Sequence, residues 1–444
     1  MASAVEQFAA NLNLSAFQKA TELKKRLWFT LFALIVYRVG TYIPIPGIDP
    51  QALHQAFQAQ SSGVLGIFDM FAGGALGRMA IFALNIMPYI SASIIMQLLT
   101  SVDPRLEALK KEGESGRQKI NQYTRYGTVI LTMLQAYGIA VGLESAGQGA
   151  VIDPGLYFRF TTVVTLVGGT MFLMWLGEQI TSRGVGNGIS LIIFAGIVAR
   201  LPQALVGTLE LGRTGALSSL LIVGVAILVV VVITGIVWFE RAQRRILIQY
   251  PKRQVGNKMF GGESSHLPLK LNTSGVIPPI FASSILLLPT TVANFSAASG
   301  PDWLVSVVTM LGHGQPAYMA LYAAGIVFFC FFYTAVVFNP QETADNLRKN
   351  GGFIPGIRPG QRTADYLDYV LTRLTVLGSI YLVIVCLLPE FLISKAGLPF
   401  YFGGTSLLIV VSVTMDTVAQ IHSHLLAHQY EGLIKKSRLK GSRR

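Results

Sequence analysis

The chain has 444 residues, of which 52% are hydrophobic and only 13% are charged, with a mean hydropathy of +0.53 and a formal net charge of +13. An ordinary soluble domain carries about 25% charged residues, so this composition excludes that class and indicates an all-α polytopic membrane protein. The two cysteines, Cys330 and Cys386, both fall inside apolar windows, which indicates neither a disulfide nor a metal site.

Long apolar windows dominate the sequence, and each is expected to form a transmembrane helix. The ten windows are 27–43, 79–99, 128–141, 160–176, 189–206, 219–239, 276–292, 317–338, 370–393 and 400–419. An even number of spans places both termini on one side, and the alternation assigns 29 of the 35 Lys and Arg residues to that side. This asymmetry predicts cytoplasmic termini. The basic face suits anionic lipid, nucleic-acid phosphate or acidic proteins, and it equally suits a role in fixing the topology alone.

The second window is interrupted. A glycine-rich joint at residues 73–77 separates a short apolar stub, residues 64–72, from a helix that is expected to start near Met79 and to be kinked by Pro88. The stub is about half as long as the roughly 20 residues that cross a bilayer. Interrupted helices are tolerated at membrane depth where they are buried in protein or line a water-filled cavity, so the pattern indicates a pore. A re-entrant loop without transport function is the alternative.

Two cytoplasmic loops, residues 240–272 and 339–366, are much longer than the outward loops. The first alternates apolar and basic residues, which is typical of a β-hairpin. The second combines a helical patch with Gly- and Pro-rich turns that place Arg358 at a loop tip. Loops of this length usually carry function, and their basic residues suit either ribosomal RNA phosphates or an acidic protein surface. At the chain ends, residues 1–26 are predicted to form an amphipathic cytoplasmic segment, and residues 429–444 a solvated basic tail.

No catalytic constellation is recognisable. Asp416, with Gln420 in helical spacing, fits either an ion relay or a buried polar tie between helices, and the absence of a chain of such groups favours the tie. His424 and His428 lie four residues apart but lack a third metal ligand. Glu178 is expected to reach water or Arg183. Any transport must therefore be driven by a partner or by a gradient.

Five longer stretches carry a resemblance to a known family. They are GGALGRMAIFALNIMPYISASII (73–95), GNGISLIIFAGI (186–197), HLPLKLNTSGVIPPIFASSI (266–285), NPQETADNLRKNGGFIPGIRPG (339–360) and PFYFGGTSLLIVV (399–411). In this order they resemble the SecY family, the central subunits of the bacterial protein translocase, over essentially the whole chain.

The resemblance implies ten transmembrane helices in two inverted five-helix halves around a central pore, with the N-terminal half at 27–213 and the C-terminal half at 214–428. The implied function is a protein-conducting channel in the bacterial cytoplasmic membrane. It would translocate signal-bearing unfolded polypeptides and release transmembrane segments sideways into lipid through a lateral gate. The resemblance implies neither an enzymatic activity nor a cofactor.

The resemblance also implies roles for individual residues. The pore ring is expected at Ile86, Ile90, Ile189, Ile193, Ile280 and Ile409. The plug, residues 64–74, is expected to centre on Ile67, Phe68, Asp69, Met70 and Phe71. The lateral gate is expected to include Ser91, Ser93, Ser283 and Ser284, which in a closed seam would be ordinary packing contacts. The docking residues are expected to be Arg244, Arg245, Lys252, Arg253 and Arg358.

Two expectations follow for the ring. The pairs 86/90 and 189/193 are four residues apart, so each pair is expected to share one helix face. A narrow apolar ring disfavours water and ions, yet its side chains can part around an extended polypeptide. Ser412, one turn from Ile409, departs from this apolar pattern and would loosen the ring.

The implied partners are the membrane subunits SecE and SecG, the SecA motor ATPase, the ribosome, signal peptides and nascent chains, and membrane lipids. SecD/SecF and YidC are optional additional partners. Two other functions remain as alternatives. A small-solute transporter would fit the interrupted helix but should show polar residues at the membrane midplane, and an integral membrane enzyme would need a catalytic cluster.

Overall fold

A computed structural model of the chain describes residues 21–49, 52–53, 69, 72–145, 149, 151–215, 218–250, 253–255, 258–260, 264–296, 315–396 and 404–441. Within these residues the chain forms twelve helices and four strands. The helices are α1 (Thr21–Gly40), α2 (Met87–Val102), α3 (Pro104–Lys111), α4 (Glu114–Ser145), α5 (Leu156–Arg183), α6 (Gly188–Arg213), α7 (Ser219–Arg241), α8 (Ile277–Ser296), α9 (Pro316–Val337), α10 (Pro340–Lys349), α11 (Gln361–Ala396) and α12 (Gly404–Gly441). The strands are β1 (Gln243–Gln249), β2 (Arg253–Val255), β3 (Lys258–Phe260) and β4 (Ser264–Lys270).

The apolar windows predicted the helices well. Each of the ten windows overlaps one described helix, and these helices are α1, α2, α4 to α9, α11 and α12. Seven helices in the described part of the chain are long and apolar enough to cross a membrane, and these are α4 to α7, α9, α11 and α12. Helix α2 is shorter, with 16 residues. The all-α polytopic class is therefore confirmed.

The start of the second window departs from its prediction. Residues 73–86 form turns, and α2 begins only at Met87. Met79 and Asn85 have positive φ angles of 41° and 48°, a left-handed conformation that cannot continue a right-handed helix. The expected helix start near Met79 is wrong. Pro88 stands in the first turn of α2, where no intrahelical hydrogen bond is lost, so the reason for expecting a kink does not apply.

Tertiary hydrogen bonds explain why these turns replace a helix. The backbone N–H of Ile45 donates to the carbonyl oxygen of Met79 (2.9 Å), and the N–H of Ile81 donates to the carbonyl oxygen of Ile43 (2.9 Å). These bonds satisfy backbone groups that would otherwise pair within a helix. The two segments therefore meet in an isolated antiparallel β-bridge between Pro44 and Ala80.

The contacts divide the chain into two compact units. The first comprises Met1–Tyr89, Arg125–Gln203 and Val413–Arg444. Helix α1 packs on α5 within it. Its largest apolar cluster consists of Ile45, Ile48, Leu53, Leu76, Met79, Ala83, Leu84, Ala136, Ala140, Phe158 and Leu166. A row of aromatic rings, Tyr37, Phe82 and Phe172, stacks beside this cluster with centroid separations of 6.2 and 5.8 Å.

The turn between α5 and α6 lies in the first unit and ties three elements together. Gly186 has a φ of 91°, and its backbone N–H donates to Oε1 of Gln420 on α12 (2.8 Å). The N–H of Val185 donates to the hydroxyl of Thr30 on α1 (3.0 Å). Gly184, Gly186 and Gly188 predict a tight turn at this point from the sequence alone, and the turn is confirmed. Glu178 near the end of α5 pairs with Arg125 on α4 at 2.7 Å, and this partner replaces the expected Arg183.

The second unit comprises Ile90–Thr124 and Ala204–Ser412. Helix α9 packs on both α8 and α11, and α10 packs on α11. Strands β1 and β4 pair antiparallel, with Ile246 opposite Leu267, so the hairpin predicted in the first long loop is confirmed. Strands β2 and β3 form a second short antiparallel pair between them. The predicted division at residues 213 and 214 stays a prediction.

Two adjacent glycines of α5 give a matched test of close packing. A Cβ at Gly169 would lie 2.0 Å from the carbonyl oxygen of Ile81, whereas a Cβ at Gly168 would meet nothing within 4 Å. We expect Gly169→Ala to lower the free energy of unfolding by about 1–3 kcal/mol through overpacking. Gly168→Ala should be neutral or slightly stabilising, because alanine favours a helix. Thermal unfolding of both variants in detergent checks this, and equal midpoints would contradict it.

Candidate pore, gate and docking surface

Six isoleucines are predicted to line the pore, and each compact unit contributes three. The first unit holds Ile86, Ile189 and Ile193, and the second holds Ile90, Ile280 and Ile409. Four are buried, namely Ile86, Ile90, Ile193 and Ile409. The other two are half-buried. Their convergence into one ring stays a prediction.

The expected sharing of helix faces holds for one pair and is wrong for the other. Ile189 and Ile193 both lie in the first two turns of α6, whose start is capped by Oδ1 of Asn187 through the N–H of Ile189 (3.1 Å). Ile86, in contrast, lies in the turn before α2, directly after the left-handed Asn85. It therefore does not share a helix face with Ile90. The sequence could not reveal this, because the window is apolar on both sides of Asn85.

The predicted plug falls mostly outside the described residues. This applies to Ile67, Phe68, Met70 and Phe71, so their role stays a prediction. Asp69 is described and is only 2% exposed. Its Oδ1 accepts a hydrogen bond from the N–H of Gly77 (2.6 Å), and its Oδ2 pairs with the guanidinium of Arg200 on α6. Asp69 and residues 72–77 are called the plug base below.

Two further arginines contact the plug base. The carbonyl oxygen of Gly73 accepts hydrogen bonds from Nη1 of Arg38 (2.8 Å) and Nη2 of Arg78 (3.2 Å). The sequence predicted Asp69 as a plug residue but gave no role to these arginines or to Arg200. One signal in the sequence could have drawn attention to them. All three belong to the six basic residues on the predicted outward side, where basic residues are rare.

The four predicted gate serines all lie in the second unit. Ser91, Ser283 and Ser284 are buried, and Ser93 is half-buried. The hydroxyls of Ser283 and Ser284 both donate to the carbonyl oxygen of Ile280 in their own helix, at 3.0 and 2.7 Å. Ser93 accepts a hydrogen bond from Gln97 (3.3 Å) within α2. These serine side chains are small, and their hydroxyl groups are hydrogen-bonded within their own helices. Both properties suit either a lateral gate or ordinary helix packing.

The two long loops that are predicted to be cytoplasmic join into one surface in the second unit. Gln249 of β1 and Phe353 exchange two backbone hydrogen bonds of 2.9 and 3.0 Å, which connects the hairpin to the second loop. Beneath them, an apolar cluster anchors both loops to the start of α11. It consists of Ile246, Leu269, Ile354, Leu367, Val370, Leu371 and Leu374. The helical patch predicted in the second loop is α10. We call this joined structure the cytoplasmic platform.

Exposed basic side chains cover the platform. Arg244 and Arg245 are exposed on the hairpin, and Arg358 is exposed on the turn that leads into α11. The backbone carbonyl of Arg358 accepts a hydrogen bond from the hydroxyl of Thr363 (2.9 Å), which fixes the loop tip. None of the ion pairs found within the described residues uses these arginines. Lys252 lies outside the described residues, and only the backbone of Arg253 is described, in β2.

The other polar residues of the last helix behave differently from expectation. Asp416 is exposed, so the interpretation as a buried polar tie is wrong for this residue, while Gln420 does tie α12 to the turn at Gly186. Ser412 is buried, and its hydroxyl has no hydrogen-bond partner among the described residues. In the described part of the chain, no cluster of three or more His, Cys, Asp or Glu side chains could hold a metal ion.

Comparisons with known proteins agree with this architecture. The SecY family model matches residues 80–418. Protein translocase subunit SecY of Escherichia coli (strain K12) is 58% identical over 423 residues, covering 95% of this chain and 96% of that protein. The Pseudomonas aeruginosa subunit is 57% identical over 422 residues, with 95% of each chain covered.

Solved structures show the same fold. One described as the structure of a protein-conducting channel aligns with a TM-score of 0.67 at 19% identity, covering 91% of this chain and 93% of that one. Canine Sec61 in a ribosome–channel complex aligns with a TM-score of 0.64 at 18% identity and the same coverage. The fold and the interrupted second window define a polytopic helical membrane protein. The family match and the relatives then give a specific assignment: this chain belongs to the SecY family.

Proposed function

We propose that this chain forms a channel through which unfolded, signal-bearing polypeptides cross the bacterial cytoplasmic membrane. The observation that carries the proposal is its 57–58% identity to protein translocase subunits over 95% of its length. Its architecture supports the same function, because an interrupted second span, short apolar gate helices and a basic platform are all parts that such a channel would use.

The pore ring would act as the seal around the passing chain. Six isoleucine side chains at a constriction leave no hydrogen-bond partner for water, so ions are disfavoured there. Isoleucine side chains are also deformable enough to part around an extended polypeptide. In this proposal the plug residues close the outer side of the ring at rest.

The lateral gate would lie between α2 and α8, the two short apolar helices that carry the predicted serines. A signal peptide has an apolar core of roughly 7 to 15 residues. Transferring that core into lipid gains about 0.8 kcal/mol for each buried CH₂ group. A gap between two helices with small, internally satisfied side chains would let each segment partition between the pore and the bilayer.

The cytoplasmic platform would receive the partners that drive transport. Its exposed arginines suit both RNA phosphates and acidic protein surfaces. Canine Sec61 and yeast Ssh1, which share the fold, are found in complexes with ribosomes. We extend this to the ribosome and to the SecA motor for the present chain, with SecE and SecG as membrane subunits and SecD/SecF and YidC as optional partners.

In this proposal the chain itself is not an enzyme. The free energy for transport comes from ATP hydrolysis by the motor, from the proton gradient or from protein synthesis on the ribosome. The excess of Lys and Arg on one side supports cytoplasmic termini for the chain.

Reconstitution tests the function directly. The chain is purified with SecE and SecG, placed in liposomes, and supplied with SecA, ATP and a signal-bearing preprotein. We expect the preprotein to become protected from added protease only when both ATP and the signal are present. A folded complex with an active motor that protects no preprotein would contradict the proposal and would favour a small-solute transporter.

A further inference from the structure

The plug base is the point where isolated charges of the first unit meet. Arg38, Arg78 and Arg200 are three of only six basic residues on the predicted outward side, and they come from widely separated parts of the chain. All three contact the plug base, which comprises Asp69 and residues 72–77.

Asp69 makes three polar contacts. Its carboxylate is buried, accepts the N–H of Gly77 and pairs with Arg200, while its backbone carbonyl accepts the N–H of Gly74 at 2.7 Å. Burying a charge is costly unless it is both paired and hydrogen-bonded. Asp69 meets both conditions only while the plug base lies against α6.

The glycines of the plug base allow this close approach. Gly73 and Gly74 have φ angles of 65° and 85°, which favour glycine. A Cβ at Gly74 would lie 3.0 Å from Nη2 of Arg200 and 2.9 Å from Nη2 of Arg78. A side chain there would displace the guanidinium groups, so the glycine backbone and the arginines form one packed unit.

The ring of Tyr42 orders two of the arginines. The guanidinium carbons of Arg78 and Arg38 lie 4.0 and 4.8 Å from its centroid, and Nη2 of Arg38 also donates to its hydroxyl at 2.8 Å. Cation–π contacts at these distances hold a guanidinium in place. Both arginines are therefore positioned to donate to the carbonyl of Gly73.

We propose that the Asp69–Arg200 ion pair, with Arg38 and Arg78 on the carbonyl of Gly73, is a latch that holds the plug base in the resting channel. This rests on the proposed channel function and deepens it. Arg200 and Asp69 are positioning residues, because they act on the position of the plug and do not touch the passing chain at the ring. Opening separates the carboxylate from Arg200, so the pair sets how readily the resting channel opens.

If the latch holds the channel closed, removing it should let ions leak through a complex that is still folded. In Arg200→Ala, Asp69 is buried without its ion-pair partner, which destabilises the closed position. We expect the resting leak of potassium ions from liposomes to rise about tenfold or more, since a change of 1.4 kcal/mol shifts an equilibrium tenfold. Signal-dependent, ATP-driven transport should persist. Arg213→Ala, which removes an exposed arginine at the C-terminal end of α6, is the matched control and should leave the leak unchanged.

A double-mutant cycle separates the latch from general destabilisation. Asp69→Asn combined with Arg200→Gln replaces the ion pair by two neutral amides, so no buried charge is left unpaired. We expect its leak to be lower than the product of the Asp69→Asn and Arg200→Gln single-variant effects predicts, so the Arg200→Gln single variant is measured as well. If Arg200→Ala does not accumulate, Asp69→Asn carries the same leak test, because it keeps the size and shape of the side chain.

The outcomes distinguish the two proposals. Transport by the wild-type complex together with wild-type leak in Arg200→Ala and Asp69→Asn would overturn the latch and leave the channel standing. Independent leak effects in the double variant would also overturn the latch. Failure of the wild-type complex to transport would overturn the channel and, with it, the latch.

Discussion

Arg358→Glu is expected to reduce motor-driven transport at least about tenfold while the complex stays folded. Arg358 is exposed at the tip of the platform turn and belongs to none of the ion pairs among the described residues. A reversed charge at a docking surface replaces attraction by repulsion, and a loss of 1.4 kcal/mol in binding already corresponds to tenfold. Transport is measured by protease protection in liposomes, and folding by the thermal unfolding midpoint.

A matched charge reversal elsewhere on the chain tests whether the general positive charge of this face, and not the position of Arg358, explains the loss of transport. Lys110→Glu changes an exposed residue on α3, which is not part of the platform, by the same two charge units. It should retain most of the transport. Equal losses in both variants would mean that the general charge of the face matters and that Arg358 has no special position. Near-normal transport by Arg358→Glu would contradict the docking role.

Ile193→Ser is expected to raise the resting ion leak several-fold. A hydroxyl at an apolar constriction gives water a hydrogen-bond partner and lowers the barrier that dewetting imposes on ions. The neighbouring Ile192 is fully buried on the same helix and is not a ring position, so Ile192→Ser is the matched control. Both changes remove a buried isoleucine and should destabilise the fold by comparable amounts.

Only the ring variant should therefore leak. Potassium efflux from liposomes that contain each folded complex, without motor or preprotein, measures the difference. The same leak in both variants would point to loosened packing, and no leak in Ile193→Ser would remove this residue from the ring.

The sequence predicted those features that depend on local patterns. Apolar windows located all ten long helices, because a helix that spans lipid needs a continuous apolar segment. The alternation around Ile246 and Ile248 predicted the hairpin, since those two side chains are buried while the other residues of the strand are exposed. The glycines at 184 to 188 predicted the tight turn between α5 and α6.

Features set by tertiary contacts were not accessible in this way. The start of α2 shifted from residue 79 to 87 because residues 79–81 bond to residues 43–45, and no local signal distinguishes that pairing from a helix. The contacts of the plug base likewise join residues 38, 69 and 200, which only the fold brings together. For the same reason Ile86 lies before the start of α2 and not, as the window had predicted, within the helix. It remains a candidate for the pore ring.

Site-specific photo-crosslinking tests the central claim that a polypeptide passes the ring of this chain. A photoreactive amino acid replaces Ile193 in one complex and Ile192 in another, and a preprotein is arrested halfway through transport. The account predicts an adduct between the preprotein and position 193 that requires ATP and the signal, and no adduct at position 192. Continued transport without an adduct at position 193, or with equal adducts at both positions, would contradict it.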